Sequence, residues 1–378
     1  MDFQLTEDQV AIADMAGSLF ADLCTDERQR AFDTAGEPFM ADVWAKCVET
    51  GLQALAIPEE VDGSGLGMTE LMLVLDAQGQ NLAQVPLWRH QIAAAALARF
   101  GGERGVALAR EAASAEHLLT LDLNGLASSR GVELRLSPAA NGGFQLDGKV
   151  LAVALGEQAG TALLLAACDQ GQRVVVVDLA AAGIAATSGV MMDGEALADL
   201  EFKGVAIAAD AVLPAEALSW LEQHAIAALA SLQLGVSDAQ VRRTVEYINE
   251  RRQFDRAIAS FQAVQMSMAD AHIAIEALRS ALYQLVYRLD AGLPSPSEAL
   301  AVKYLANECG HIVGHKAQHV HGGIGVDLTY PIHRYLYWSR TIGITLGGSA
   351  ATLERLGDWL ANNDKLGWKY DLEEQQAL

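Results

Sequence analysis

Three groups of residues have types and spacings that could do chemistry. His311, His315 and His319 recur every four positions. On a helix they would share one face, a spacing that can chelate a transition metal. No HExxH glutamate accompanies them, so interface or cofactor-adjacent histidines are the expectation, with no metal. Arg334, Tyr335, Tyr337 and Trp338 set a cation among aromatic rings. That cluster could stack on an adenine, and helix packing at a subunit interface accounts for it at least as well. The third group is two strings, Arg251-Arg252-Gln253-Phe254 and Gln318-His319-Val320-His321-Gly322-Gly323. Singly, each reads as a solvated helix end and a plain loop, because a glycine pair is a weak signal.

The elements that must carry these residues follow from periodicity. From Thr6 to Ala113 apolar residues recur at helical spacing, as in Val10, Met15, Leu19 and Leu23, and Thr6-Glu7-Asp8 suits a helix start. The stretch Ile57 to Gly67, with Pro58, Gly63, Gly65 and Gly67, forbids a continuous helix. Between Glu116 and Pro214 the period shortens. Val132–Leu136, Phe144–Leu151 and Val174–Leu179 are β-prone runs separated by Asn-Gly-Gly, Asp-Gly and Gly-Gln turns. Sustained helical patterns return over Glu222–Arg251 and Phe261–Asp290, with a break at Gly292–Pro296. The expected organisation is a multidomain α+β chain: helical over residues 1–113, β over 114–215 and helical over 216–378. No repeat suggests a solenoid.

Composition limits the partners. The 378 residues are 51% hydrophobic, enough to bury more than one core. A net charge of -22, from 26 basic and 48 acidic residues, would repel nucleic acid and anionic lipid. An anionic ligand therefore needs a local site. Cys24, Cys47, Cys168 and Cys309 are too far apart for a metal knuckle or a disulfide framework and are expected to be buried thiols in a cytoplasmic protein. The N-terminus lacks a secretory pattern, and no apolar run approaches the roughly 20 residues that span a bilayer. A soluble, cytoplasmic protein is expected.

The strings, taken together, resemble the acyl-CoA dehydrogenase family. They include Met1-Asp2-Phe3-Gln4-Leu5-Thr6-Glu7-Asp8-Gln9, Gly51-Leu52-Gln53-Ala54-Leu55-Ala56-Ile57-Pro58-Glu59-Glu60, and Tyr247-Ile248-Asn249-Glu250-Arg251-Arg252-Gln253-Phe254 followed by Ser260-Phe261-Gln262-Ala263-Val264-Gln265. The resemblance implies an N-terminal helical domain, a central β-barrel-like or sandwich domain and a C-terminal four-helix bundle that pairs subunits. It implies FAD as cofactor and desaturation of an acyl-CoA thioester, in which a carboxylate takes the α proton and the flavin takes a hydride from the β carbon. In this family one subunit clasps the flavin ring and its neighbour grips pyrophosphate and adenosine. The second set is present: Arg251 would pair with the pyrophosphate through its fork of donors, Gln253 and Phe254 would flank it, and Gln318, Gly322 and Gly323 match the loop whose main chain approaches the cofactor. Tyr330-Pro331 follows where the family has a tyrosine-proline pair.

The ring set is not matched. The family's threonine-glutamate-proline-glycine-alanine-glycine-serine loop is replaced by Leu119-Thr120-Leu121-Asp122-Leu123-Asn124-Gly125, and its tryptophan-isoleucine-threonine by Val150-Leu151-Ala152-Val153-Ala154 after Gly148-Lys149. The two positions where the family carries its catalytic glutamate fall on Leu346 and Ala225. Neither can accept a proton. Glu222, His224 and Glu354 lie near those positions in sequence and would be relocated bases or, more blandly, solvated or interface polar residues. The resemblance is to bacterial acyl-CoA dehydrogenases of steroid side-chain catabolism with split sites. It implies a non-catalytic subunit in an α2β2 heterotetramer with a sister chain, an acyl-CoA substrate and electron-transfer flavoprotein as acceptor. The alternatives are a homomeric enzyme using a base such as Glu222, and a scaffold protein that binds neither FAD nor thioester.

Overall fold

The computed structural model describes residues 4–140 and 142–363. Met1, Asp2 and Phe3 of the opening string, Asn141 of the Asn-Gly-Gly turn and the stretch after residue 363 lie outside the described residues.

Six helices come first: α1 Glu7–Leu23, α2 Asp26–Ala35, α3 Ala41–Glu49, α4 Met68–Asn81, α5 Leu87–Phe100 and α6 Gly102–Ala113. Thr6 opens α1 as expected, with a reciprocal capping box in which its hydroxyl accepts from Gln9 N at 3.2 Å and its own N donates to Gln9 Oε1 at 3.0 Å. The Ile57–Gly67 loop is folded on itself, and Gly63 sits where a Cβ would lie 2.1 Å from Ile57 O. Seven strands follow: β1 Leu119–Asp122, β2 Arg135–Pro138, β3 Phe144–Ala154, β4 Thr161–Cys168, β5 Gly171–Asp178, β6 Ile184–Val190 and β7 Ala196–Ile207. They form one curled sheet in the order β1-β4-β2-β3-β7-β6, with β5 also paired to β4. The expected strand over Val132–Leu136 begins only at Arg135. Gly148, at φ 121° and at a shift in the β3–β7 register, lies so close to the segment before β2 that a Cβ on it would be 2.3 Å from Glu133 O.

The C-terminal part is α7 Glu216–Glu250, a short hairpin of β8 Arg252–Gln253 and β9 Arg256–Ala257, then α8 Gln262–Asp290, α9 Pro296–His321, α10 Ile332–Ile344 and α11 Ser349–Ala361. The chain thus has the fold expected of it: an N-terminal helical layer, a central sheet and a C-terminal helical bundle. Of the cysteines, Cys24, Cys47 and Cys309 are buried and Cys168 only partly so; all four are free.

α7 runs through the middle of the molecule. Its residues from His224 to Ser237 are buried without interruption, because α4, α5, α9 and α10 all pack on it. That close packing has a sequence cause. At the crossing of α4 and α7, a Cβ on Gly79 would lie 2.3 Å from Leu232 O, and one on Gly235 only 1.9 Å from Asp76 O. A second tie joins the layers: the Asp290 carboxylate at the end of α8 accepts from Met68 N at 2.6 Å and Thr69 N at 3.1 Å, capping α4 from another helix.

Gly235→Ala should therefore cost about 2 kcal/mol or more in denaturant unfolding, the overpacking strain exceeding the ~1 kcal/mol gained in helix propensity. Gly17→Ala in α1, where the new Cβ meets nothing within 4 Å, should instead gain a few tenths to ~1 kcal/mol.

Candidate functional site

The two strings singled out by type meet at one end of the bundle. α7 ends at Glu250, and Arg251 caps it with its N–H donating to Tyr247 O at 2.8 Å. The β8–β9 hairpin follows. Phe254 and Asp255 at its tip have φ of 54° and 64°, the two left-handed residues of a tight hairpin turn. The hairpin projects Phe254 outward, 86% exposed, with an edge contact to the Phe261 ring at 6.2 Å between centroids. One turn before Arg251, Tyr247 stacks on His321 with ring centroids 4.3 Å apart, and Tyr330 closes on both rings. The His321 Nδ1 hydrogen donates to Ala317 O at 2.8 Å, which fixes the ring beneath the end of α9. Gly322 terminates that helix at φ 63°, ψ −135°, a conformation that favours glycine. A Cβ on Gly323 would meet nothing within 4 Å, so the space over this backbone is open.

Beneath the turn, both polar atoms of the Gln318 amide are buried without a partner. An orphaned amide of this kind costs about 1–3 kcal/mol, which a ligand at the turn would recover. Arg251, Gln253 and Phe254 are all exposed. Phosphate at Arg251, main-chain approach at Gly322 and Gly323, and an amide awaiting partners suit the anionic, adenosine-bearing half of a dinucleotide.

The two base positions also come together. Ala225 on α7 and Leu346, between α10 and α11, line one buried cavity with Arg89, Asp122 and Asn124. Leu346 sits at φ 59°, and its N–H donates to Asn124 Oδ1 at 2.9 Å. Asn124 is itself held: its side-chain amide donates to Asp122 Oδ2 at 2.6 Å and its main-chain N–H to Asp122 Oδ1 at 3.2 Å. Burial pushes the Asp122 carboxyl up to about 6, and those two Asn124 bonds oppose the rise. From the bundle side, Lys303 Nζ donates to Asn307 Oδ1 at 2.8 Å and Ile342 O at 3.0 Å, and Asn307 Nδ2 donates to Gly347 O at 3.2 Å. The loop is clamped from two directions. Where the ring loop was sought, Asn124–Ala127 form a single helical turn, and Val150–Ala154 lie inside β3.

Glu222 and His224 are not in this cavity. Glu222 is ion-paired with Arg355 at 2.5 Å and lines a different cleft with Pro296 and Trp359. His224 is buried, stacked on Trp220 at 3.7 Å, and burial pushes it down to about 4. Glu354 is exposed on α11. His311, His315 and His319 do share the outer face of α9. His311 and His315 have ring centroids 4.4 Å apart, and Arg340 donates to His315 Nε2 at 2.6 Å. Among the described residues no group of three or more ligand side chains could hold a metal.

The aromatic-basic cluster is internal, which removes adenine stacking as its role. Arg334 pairs with Asp33 on α2 through Nε at 3.0 Å, Tyr335 donates to Gln80 O at 3.3 Å, and Trp338 is buried. It joins α10 to the N-terminal helices within one chain.

Several site residues were not singled out from the sequence: Arg89, Asp122, Asn124, Lys303 and Asn307. Lys303 carried a signal, because it shares the buried phase of α9 with Ala299, Val302, Ala306 and Gly310. Asp122 did too, as a carboxylate inside a fully buried strand.

These features define a helical layer, a curled sheet and a helical bundle, with an exposed arginine, a glycine turn and an unpartnered buried amide at one end of the bundle. Comparison with known proteins identifies the family. The acyl-CoA dehydrogenase N-terminal domain matches residues 6–105 and the C-terminal domain residues 221–361. Acyl-CoA dehydrogenase FadE27 of Mycobacterium tuberculosis is 33% identical over 96% of this chain and 99% of that one. The ChsE4-ChsE5 complex from Mycobacterium tuberculosis superposes with TM-score 0.90 at 32% identity, covering 96% of this chain and 100% of that one. The steroid ACAD Tcur3481-Tcur3483 gives TM-score 0.88 at 34% identity, covering 94% and 98%. The chain belongs to the acyl-CoA dehydrogenase family, and FAD is its cofactor. No helix among the described residues is long and apolar enough to cross a membrane.

Lys303 provides a pH test of the loop clamp. Burial lowers it from the ordinary 10.5 to about 7, so between those values the unfolded chain binds a proton that the folded chain does not. Stability from this group should rise as pH climbs from about 7 toward 10. Lys303→Met should remove that contribution, so the stability difference between the variant and the parent should move in the parent's favour by on the order of 1 kcal/mol per pH unit across the window. Urea titrations at a series of pH values measure it.

Proposed function

We propose that this chain is the base-lacking subunit of a heteromeric, FAD-dependent acyl-CoA dehydrogenase, contributing the pyrophosphate and adenosine half of a flavin site whose ring half lies in a sister chain. The observation that carries this reading is the cavity shared by Ala225 and Leu346. Both places where the family keeps its carboxylate face one space, and neither residue can take a proton. Asp122 in the same cavity has both oxygens engaged by Asn124. At the far end of the bundle the cofactor clasp is intact and uncovered.

In this reading Arg251 holds the pyrophosphate, Gln253 and Phe254 flank it, and Gln318, Gly322 and Gly323 offer amide and main-chain groups to the adenosine side. FAD supplies the hydride acceptor. The ring contacts and the carboxylate base come from a sister chain in an α2β2 assembly, cytoplasmic, with electron-transfer flavoprotein as acceptor. The division at residues 113 and 215 leaves the clasp wholly in the C-terminal part. Similarity to a steroid ACAD and to the two-component ChsE4-ChsE5 complex supports a sister chain and a steroid side-chain acyl-CoA as substrate. A homomeric enzyme using Glu222 is disfavoured by that side chain's ion pair and its separate cleft.

Expressed alone, the chain should be colourless and inactive, and co-expression with its sister chain should yield a yellow, dehydrogenating complex. A yellow, active homo-oligomer of this chain alone overturns the reading. In the complex, Arg251→Ala should weaken flavin binding roughly 10- to 100-fold, the loss of a charge-assisted bond of about 1.5–3 kcal/mol. Flavin content unchanged in equilibrium dialysis would leave a scaffold without a cofactor role.

A further inference from the structure

Arg89 lies on α5, at the seam between the N-terminal helices and the sheet, and its guanidinium is ion-paired with Glu195 in the turn before β7. The same guanidinium lies 4.4 Å from the centroid of the Trp88 ring. The pair is mostly withdrawn from water, with side-chain exposures of 13% and 20%. Two separate cavities meet at these residues. One is the space shared by Ala225 and Leu346. The other runs past Leu229, Leu232, Asp193 and Trp338. Trp88, Arg89 and Thr345 line both.

Ala225, Leu229 and Leu232 stand at spacings of four and three on α7, so they share one face. Without the Arg89 side chain, that face would form one continuous apolar floor from the base positions inward. Its surroundings are also wrong for a thioester. Asp122, Asp193 and Glu195 bring three carboxyls to the two cavities. Burial, reinforced by the charge of Glu195, pushes Asp193 up. An enolate developing at Leu346 would meet that acidic wall, and the basic side chain that lines both cavities, Arg89, is already ion-paired with Glu195.

We propose that Arg89 is a plug: its ion pair with Glu195 across the domain seam divides the pocket along α7 and excludes an acyl thioester from this chain, which confines the substrate to the sister chain. The inference rests on the split-site reading and adds the residue that enforces it. Arg89 acts by occupancy and is a specificity determinant, not a catalytic residue.

The test is made on the complex with its sister chain, with octanoyl-CoA as probe, by counting thioester by calorimetry and flavin by absorbance in the same samples. The parent complex should bind one thioester and one flavin per pair of unlike chains. Arg89→Ala combined with Glu195→Ala removes both members of the ion pair, so Glu195 is not left as an unpaired carboxylate, and should double the thioester count to two with flavin still at one. Arg89→Lys, which keeps a cation opposite Glu195, should leave the count at one. A double variant that melts cooperatively and still binds one thioester overturns the plug and leaves the split site standing. Two thioesters per pair in the parent complex also overturns it, and that result needs no variant. Two flavins per pair would instead overturn the split-site reading.

Discussion

The close approach of α4 and α7 at Gly79 and Gly235 is the constraint on which the rest of the structure depends. Two backbones meet there with no room for a Cβ on either side, which fixes the axial position of a 35-residue helix. α7 carries Ala225 near one end and Arg251 at the other. The cavity shared by Ala225 and Leu346 and the exposed end at Arg251 are thus carried by one rigid rod. Hydrophobic burial drives the packing along that rod, but it is non-directional and would tolerate a slide. The glycine crossing and the Asp290 cap on α4 supply the directional part. A helix held this way transmits position over its whole length without any hinge.

Much of this was legible in the sequence where a local rule sufficed. Thr6 with Glu7 and Asp8 marked a helix start, Gly292 to Pro296 a break, and the short β-prone runs between Glu116 and Pro214 a sheet, because capping, turn chemistry and side-chain period act within a few residues. The strand expected over Val132–Leu136 is displaced to Arg135–Pro138, because its extent is set by where it meets β3 and β4 rather than by its own residues. The aromatic-basic cluster failed in the same way. Arg334 could not be known to face Asp33 on α2, some 301 positions earlier in the chain, and an exposed adenine platform and an internal tie look alike in one dimension.

The cofactor clasp and the base positions differ in how they could be read. Arg251, Gln253 and Phe254 are consecutive or nearly so, and a hairpin with two left-handed residues holds them by local geometry alone. Leu346 and Ala225 are brought together only by the tertiary fold, so resemblance could number them but not show that they share a space. The residues around them, Arg89 from a helix, Asp122 from the first strand and Asn124 from the turn that follows it, belong to two other layers. A cavity built from three layers leaves no signature in any one segment.

The loop at Leu346 separates the positioning of a catalytic group from its chemistry. Its conformation is set by main-chain groups: Leu346 N on Asn124, Gly347 O on Asn307 and Ile342 O on Lys303. None of these bonds involves the side chain at residue 346. A left-handed leucine costs on the order of 1 kcal/mol, and Lys303 is buried without a carboxylate partner; the clamp holds against both. Exchange of a carboxylate for an apolar side chain at such a position would therefore leave the backbone undisturbed, and the leucine at residue 346 offers no atom able to accept a proton. Buried Leu346 then adds apolar contact where a carboxylate would have required solvation or a charge partner. The architecture of this loop is therefore independent of whether its side chain can act as a base, because main-chain bonds hold the position and the side chain alone would carry the chemistry.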